Sequence, residues 1–379
     1  MIPYGKQDIN QADIEAVTSV LESDFLTQGP QVPLFEKTVA DYCGAKFGVA
    51  VNSATSALHI ACLALELGKN DWLWTSPNSF VASANCGLYC GAKIDFVDID
   101  TQTYNLSTTE LEKKLIQAKK DNKLPKVLVP VHFAGQSCNM KRIHVLSKEY
   151  GFKIIEDASH AIGGKYLNKP IGNCQYSDIT VLSFHPVKIV TTAEGGLATT
   201  NNKQLARCMQ LLRSHGITRD SSLMNKLPDG DWYYQQTALG FNYRMTELQA
   251  ALGVSQMQRV DAFVAKRHAL QERYNSLLND LPIIKPHQDK DSYSALHLYP
   301  IQISQNRKQV FNQLRGSDIG VNVHYIPIHT QPYYQQFGFK KGFFPNSEAY
   351  YDKAISIPLF HTMTTKEQDV VYNTLKKAL

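Results

Sequence analysis

The sequence predicts an α/β protein with a large domain followed by a smaller α+β domain. Three observations carry this. Short β-branched and apolar runs alternate with stretches of helical periodicity through the first two thirds of the chain. Arg244 to Leu281 then repeats Leu248, Ala251, Leu252, Met257 and Val260 at helical spacing, with no strong breaker after Gly253, and bridges to a second set of strands and helices. The length, 379 residues, exceeds one small domain. We expect residues 1–250 to form the large domain, N-terminal segment included, and 251–379 the bridging helix and the small one.

The elements follow in order. Asn10 with Asp13 caps a first helix whose Ile14, Val17, Val20 and Leu21 make an apolar stripe. The loop Asp24-Phe25-Leu26-Thr27-Gln28-Gly29-Pro30 is either a plain connection or a substrate-contacting loop. Phe47 to Val51 reads as a strand that runs into Asn52-Ser53-Ala54-Thr55-Ser56 and a helix carrying Ala57, Leu58, Ala61 and Leu65. A strand, a turn of small residues and a helix start direct unpaired N–H groups at one point, which suits an anion, although Ser and Thr there also serve as plain caps.

Trp72 to Pro77 is the next strand, and Asn78 to Asn85 opens a helix of small residues. Phe80 at that junction either packs in the core or lies flat against an aromatic ligand. Ala92 to Asp98 and Lys126 to Val131 are further strands, with helical spacing over Leu111 to Ala118 between them. Gly151 to Ile155 ends in Glu156-Asp157-Ala158-Ser159-His160, beyond the carboxyl end of a strand, where open α/β sheets bind ligands. Asp157 there is a helix cap or a ligand carboxylate, and His160 a core histidine or part of the same site. In the last part, strands at Leu296 to Ile301 and Val321 to Ile326 alternate with helices near 308–315 and 366–377. Asp220 to Asp231, with Pro228 and Gly230, is the expected mobile loop.

Between the strands Ile179 to Phe184 and Leu197 to Thr200 lies Lys188, flanked by Pro186, Val187, Ile189 and Val190 and followed by the turn Thr191 to Gly196. Most loop lysines are solvated. Apolar neighbours instead favour the neutral amine, the form that attacks a carbonyl to make a Schiff base. Such a lysine requires a phosphate cradle, a carboxylate for a pyridinium nitrogen and a flat ring elsewhere in the chain. Residues 52–56, Asp157 and Phe80 are the candidates for them.

Composition excludes other classes. The net charge of +5 suits an anionic substrate, but no Lys/Arg block marks a nucleic-acid face. Seven scattered cysteines without a CxxC pair favour a reducing compartment, and Cys86 and Cys90 lack further ligands for a metal. MIPYGKQDIN shows no cationic start followed by an apolar core, and no run is long enough to span a bilayer, so a cytoplasmic location is expected.

The ordered set NSATSALHIA, SFVASAN, YCGAKIDFVDID, EDASHAIGG, SFHPVKIVTTAEGG, LGFNYRMTELQAALG and VHYIPIH resembles the DegT/DnrJ/EryC1/StrS sugar aminotransferases, over nearly the whole chain. The resemblance implies a fold type I pyridoxal 5'-phosphate (PLP) enzyme: a mostly parallel seven-stranded sheet, a small C-terminal domain, and a homodimer with shared active sites. It implies Lys188 as Schiff-base lysine and proton shuttle, Asp157 as partner of the pyridinium nitrogen, Phe80 as ring stacker and His160 near the phenolic oxygen. Ala54, Thr55, Ser56 and Ser183 would hold the phosphate, with Asn242 from the facing subunit. Tyr4, Asp24, Phe25, Leu26, Thr27, His324 and Tyr325 would contact the sugar nucleotide.

MIPYGKQDI, DFLTQGP, LYCGAKIDFVDID and TAEGG look like the subgroup that transfers an amino group from L-glutamate to C4 of a UDP-linked 4-keto-6-deoxy-N-acetyl sugar in pseudaminic acid biosynthesis. Asn78 departs from what the family has beside the stacking ring. The family's 3-dehydratase branch carries histidine at the lysine position, so Lys188 favours transamination. Another UDP- or dTDP-linked keto sugar, or a catalytically silent regulator that binds a sugar nucleotide, are the competing readings; retention of Lys188, Asp157 and Ser183 disfavours the silent one.

Overall fold

The structure, a computed structural model, describes residues 1–304 and 306–379. Its centre is one seven-stranded sheet of β1 (Phe47–Val51), β2 (Trp72–Thr75), β3 (Lys93–Phe96), β4 (Val127–Val129), β5 (Lys153–Asp157), β6 (Ile179–Ser183) and β7 (Gly196–Thr200), in the order β1-β7-β6-β5-β4-β2-β3. Every pairing is parallel except those of β7, which runs antiparallel to β1 and β6. Because β7 reverses between them, β1, β5 and β6 point the same way. Their carboxyl ends open on one side of the sheet.

The side-chain period of two sorts each strand between two cores. The chain opens with the helices α1 (Gln11–Leu21) and α2 (Gln31–Cys43); Val49 and Val51 of β1 and Ile179 and Val181 of β6 pack on one face, under α3 (Ala54–Ala64) and α4 (Ala82–Tyr89). Ala50 and Leu182 pack on the other, with Phe35 and Val39 of the helix Gln31–Cys43 and Ala250 of the helix Glu247–Met257. Strands buried on both faces read as near-continuous apolar runs, which is why β6 is visible in the sequence.

The first helix, Gln11–Leu21, has the expected Asn10–Asp13 capping box but not the expected apolar stripe: only Val20 of the four is buried, and Ile14 and Leu21 are exposed. It is held instead through buried Asp13, which accepts from Ser255 at 2.6 Å, Gln256 at 2.7 Å and Arg259 at 2.6 Å. The bridge is two helices, Glu247–Met257 and Val260–Leu277. The second starts among residues packed on the sheet and ends against the C-terminal core. Within it, buried Arg267 donates to the carbonyls of Leu296 at 3.0 Å and Leu359 at 2.9 Å.

The C-terminal part has an antiparallel sheet of Ile283–Ile284, Tyr299–Ile303 and Ala354–Ile357, with the helices Arg307–Gly316 and Thr365–Ala378. The strand expected at Val321 to Ile326 does not form. Only Asn322 pairs there, with Ser356, and the Tyr325 N–H donates to the Asn78 side chain at 3.2 Å instead of to a ladder partner.

Gly196, at the start of β7, lets the turn after β1 lie against the sheet, since a Cβ there would sit 2.4 Å from Ala54 N and from the Ser53 carbonyl. Gly196→Ala is expected to cost about 1–3 kcal/mol of stability through this overlap. Denaturant unfolding checks it; an unchanged midpoint would show that the turn yields freely.

Candidate active site

The turn after β1 is built by its own side chains. Ser53 Oγ accepts from the Ser56 N–H at 3.1 Å, and Ser56 Oγ donates to Asn52 Oδ1 at 2.7 Å. Ser56 is therefore spent on the cap and turned away, while Ala54 and Thr55 at the head of α3 face a cavity of about 460 Å³. First-turn N–H groups have no intrahelical acceptor, so this end attracts an anion. Ser183, at the end of β6, lines the same cavity.

Lys188 sits on the connection from β6 to β7, which is tied at its base. Phe184 donates its N–H to Gly195 O at 3.0 Å and accepts from Thr192 N–H at 2.9 Å, while Lys188 N–H donates to His185 O at 2.8 Å. Buried Phe184, Ile189 and Val190 anchor the loop in the core, and Lys188 lines the cavity. Burial pulls its ammonium down to about 8, against the nearby Asp157 charge, which pulls it up.

Asp157, the last residue of β5, is buried and faces the cavity. Its Oδ1 accepts from Ser159 N–H at 3.1 Å and Ser159 Oγ at 2.6 Å, and its Oδ2 from Ser83 Oγ at 2.6 Å. Ser79 bonds to Ser83 in turn at 2.8 Å. A carboxylate offers about four lone-pair sites. Three are taken, which leaves room for one more donor and fixes the group's orientation.

The remaining wall is aromatic. Phe80 is 59% exposed and lines the cavity, so it is no core residue; its ring centroid lies 6.4 Å from that of Tyr325. His160 Nδ1 accepts from Ala134 N–H at 3.3 Å, and its Nε2 lies 3.1 Å from Tyr325 Oη. Burial, then the charges of Lys188 and His324, hold His160 well below the usual imidazole range. His324 bonds to Ser356 Oγ at 2.8 Å and is held down to about 3 by burial and by Lys188. Tyr4 lies beside it, ring centroids 5.6 Å apart.

The structure thus brings together Tyr4, Ala54, Thr55, Phe80, Asp157, His160, Ser183, Lys188, His324 and Tyr325 on one cavity. Asn242, whose backbone pairs with Ser214, and the loop Asp24, Phe25, Leu26 and Thr27, bridged to Thr246, lie outside it in this chain. A larger groove of about 700 Å³ beside Trp72 and Phe344 carries none of these residues.

Three contributors were not foreseen. Ser83 and Ser159 hold Asp157; Ser79 and Ser83, four apart in SFVASAN, were the available signal for one of them. Asn78 is a buried clasp: Oδ1 accepts from Tyr325 N–H, and Nδ2 donates to Tyr104 O at 3.2 Å. It fixes the segment that carries His324 and Tyr325.

The set of groups is specific. A partly neutral amine meets an aldehyde, a carboxylate with one free site meets a ring N–H, an exposed phenyl face meets a flat ring, and a helix start with a serine hydroxyl meets a phosphate. All four parts occur in PLP, and the residues fit it. The fold and this site define a PLP-dependent enzyme.

The comparisons give the family. The sequence profile of the DegT/DnrJ/EryC1/StrS aminotransferase family matches residues 7–376, and the chain belongs to that family. It is 37% identical over 383 residues to the spore coat polysaccharide biosynthesis protein SpsC of Bacillus subtilis, covering 99% of this chain and 96% of that one. It is 36% identical over 380 residues to the UDP-4-amino-4,6-dideoxy-N-acetyl-beta-L-altrosamine transaminase of Campylobacter jejuni, with the same coverage of both chains. Among solved structures, Helicobacter pylori PseC, an aminotransferase involved in the biosynthesis of pseudoaminic acid, superposes with a TM-score of 0.90 at 31% identity, over 100% of this chain and 98% of that one. Among the described residues no helix is long and apolar enough to cross a membrane.

If Lys188 Nζ is the amine that joins PLP, uptake by the empty protein needs its neutral form, which exists above its pKa. Uptake is therefore expected to rise with pH around a midpoint near 8, followed by the visible absorbance band. Lys188→Ala gives no such band, and a midpoint near that of an ordinary lysine would contradict the desolvated amine. Ser83→Ala is expected to weaken PLP binding by roughly 3- to 10-fold, the worth of one hydrogen bond orienting Asp157; equilibrium titration reads it.

Proposed function

We propose that the chain transfers an amino group from L-glutamate to C4 of a UDP-linked 4-keto-6-deoxy-N-acetyl hexose, UDP-2-acetamido-2,6-dideoxy-β-L-arabino-hexos-4-ulose, in pseudaminic acid biosynthesis. It acts as a cytoplasmic homodimer with shared active sites, residues 1–250 forming the PLP-binding domain and 251–379 the bridging helix and small domain. The observation that carries the chemistry is Lys188, desolvated and facing the cavity that Asp157 and Phe80 also line. The substrate reading is supported by the near full-length likeness to the Campylobacter jejuni transaminase and by the subgroup motifs.

Ala54 and Thr55, through the head of α3, and the Ser183 hydroxyl hold the phosphate, while Ser56 keeps the turn in shape. Asn242 joins them from the facing subunit. Phe80 covers one ring face, and Asp157 accepts the ring N–H in the one site that its serines leave free. When bound, the cofactor supplies a protonated ring that takes up the electron pair left as a substrate carbon loses its proton.

Lys188 Nζ removes that proton and delivers it to the neighbouring carbon. With its pKa near 8, roughly 300-fold more of it is neutral at pH 7 than of an ordinary lysine. His324, Tyr325 and Tyr4 meet the sugar at the cavity, with Asp24 to Thr27 contributed across the dimer.

The test is amine formation from glutamate and UDP-linked 4-keto-6-deoxy sugars, resolved by mass. Turnover with the UDP-linked N-acetyl sugar is expected, and turnover with dTDP-linked sugars alone would overturn the substrate.

A further inference from the structure

The hydrogen-bond order around His160 assigns a direction to every proton in it. Nδ1 accepts from the Ala134 backbone N–H at 3.3 Å, and an amide N–H can only donate, so Nδ1 carries no hydrogen. In the neutral ring the hydrogen is then on Nε2, which faces Tyr325 Oη at 3.1 Å. Two consequences follow. Tyr325 Oη accepts from His160, and its own hydrogen has no acceptor among the described residues. The phenol lines the cavity, so that hydrogen is free for a ligand.

The arrangement is held from several sides. The Tyr325 backbone is fixed by its N–H bond to Asn78, itself anchored on Tyr104 O. The imidazole and phenol rings lie nearly parallel, 19° apart, with Phe133 edge-on to both. The other ionisable groups near the pair are Lys188, Asp157, His324, His297, Tyr4 and Tyr350. Burial, with the charges of Lys188 and His324, keeps His160 neutral, and burial, with Asp157 and Tyr4, keeps the phenol protonated.

We propose that His160 is a positioning residue whose fixed tautomer makes Tyr325 a donor-only group, its O–H directed at an acceptor oxygen of the bound ligand: the phenolic oxygen of the cofactor or an oxygen of the sugar. This rests on the reading of the cavity as the PLP and sugar site. It differs from a direct contact of His160 with the ligand, because the nitrogen that would make that contact already donates to Tyr325.

The tautomer is tested without any ligand, by long-range proton–nitrogen NMR of the full chain labelled at histidine. His160 is expected to show hydrogen on Nε2 and a bare Nδ1; the opposite tautomer, or a doubly protonated ring at pH 7, overturns the proposal. The donor role is tested with Tyr325→Phe, His160→Leu and His160→Gln. A glutamine amide can accept from Ala134 with its oxygen and donate to Tyr325 with its nitrogen. Tyr325→Phe and His160→Leu are each expected to weaken one step by roughly 3- to 10-fold.

If the acceptor is the phenolic oxygen, PLP binding weakens in the absence of sugar; if it is on the sugar, PLP binding holds and KM rises. His160→Gln is expected to recover most of what His160→Leu loses. No change in either readout for Tyr325→Phe, or a His160→Gln variant as impaired as His160→Leu, overturns the proposal. Failure of the wild-type protein to bind PLP would instead sink the functional reading and leave the tautomer result standing.

Discussion

An ammonium taken out of water is costly unless it is paired or gives up its proton, and the loop from Phe184 to Gly195 takes Lys188 out of water without a paired carboxylate. Among the described residues no Asp or Glu lies in salt-bridge range of its Nζ. Asp157 is near enough to oppose the shift but spends its oxygens on Ser83 and Ser159. A direct Lys188–Asp157 pair would raise the lysine back towards its ordinary range and occupy the carboxylate. The serines disfavour both outcomes, so a desolvated amine and a carboxylate with one open site stand apart in the same cavity.

That separation depends on the topology. Asp157 ends β5 and Ser183 ends β6, adjacent parallel strands, while the phosphate turn follows β1 two strands further on. β7 lies between β1 and β6 and begins with Gly196, against which the Ser53–Ala54 backbone packs closer than a side chain would permit. The antiparallel strand therefore sets the distance between the anion-binding helix start and the lysine loop. The cavity is a property of strand order before it is a property of any side chain.

The parts legible in the sequence are those written locally. The turn at residues 52–56, Asp157 after its strand, Phe80 at its junction and Lys188 among apolar neighbours each occupy a strand end that a short window reveals. What the sequence hid is what distant residues do to one another. Ser83 reaches Asp157 across 74 positions, Tyr325 reaches His160 across 165, and Asn78 reaches Tyr325 across 247. The two serines of the phosphate turn have equal chemistry in the sequence, and only the geometry separates them: Ser53 caps the helix through the Ser56 N–H, while Ser56 bonds to Asn52 and does not line the cavity. At Val321 to Ile326 the β-branched pattern was real, but Asn78 captured the N–H that a strand would have used.

Asn78 is then less an anomaly of ring packing than a clue to how the imidazoles are arranged. It fixes the backbone next to His324 and sets Tyr325 on His160, so that neutral histidines stand near Lys188. Burial, then the charges of Lys188 and His324, hold His160 well below the ordinary range; burial, then His160 and Lys188, do the same for His297, and His324 sits at about 3. A proton is therefore held more tightly on Lys188 Nζ, with its pKa of about 8, than on these imidazoles. The imidazoles around Lys188 are thus weaker bases than its amine, so they do not draw a proton away from Nζ.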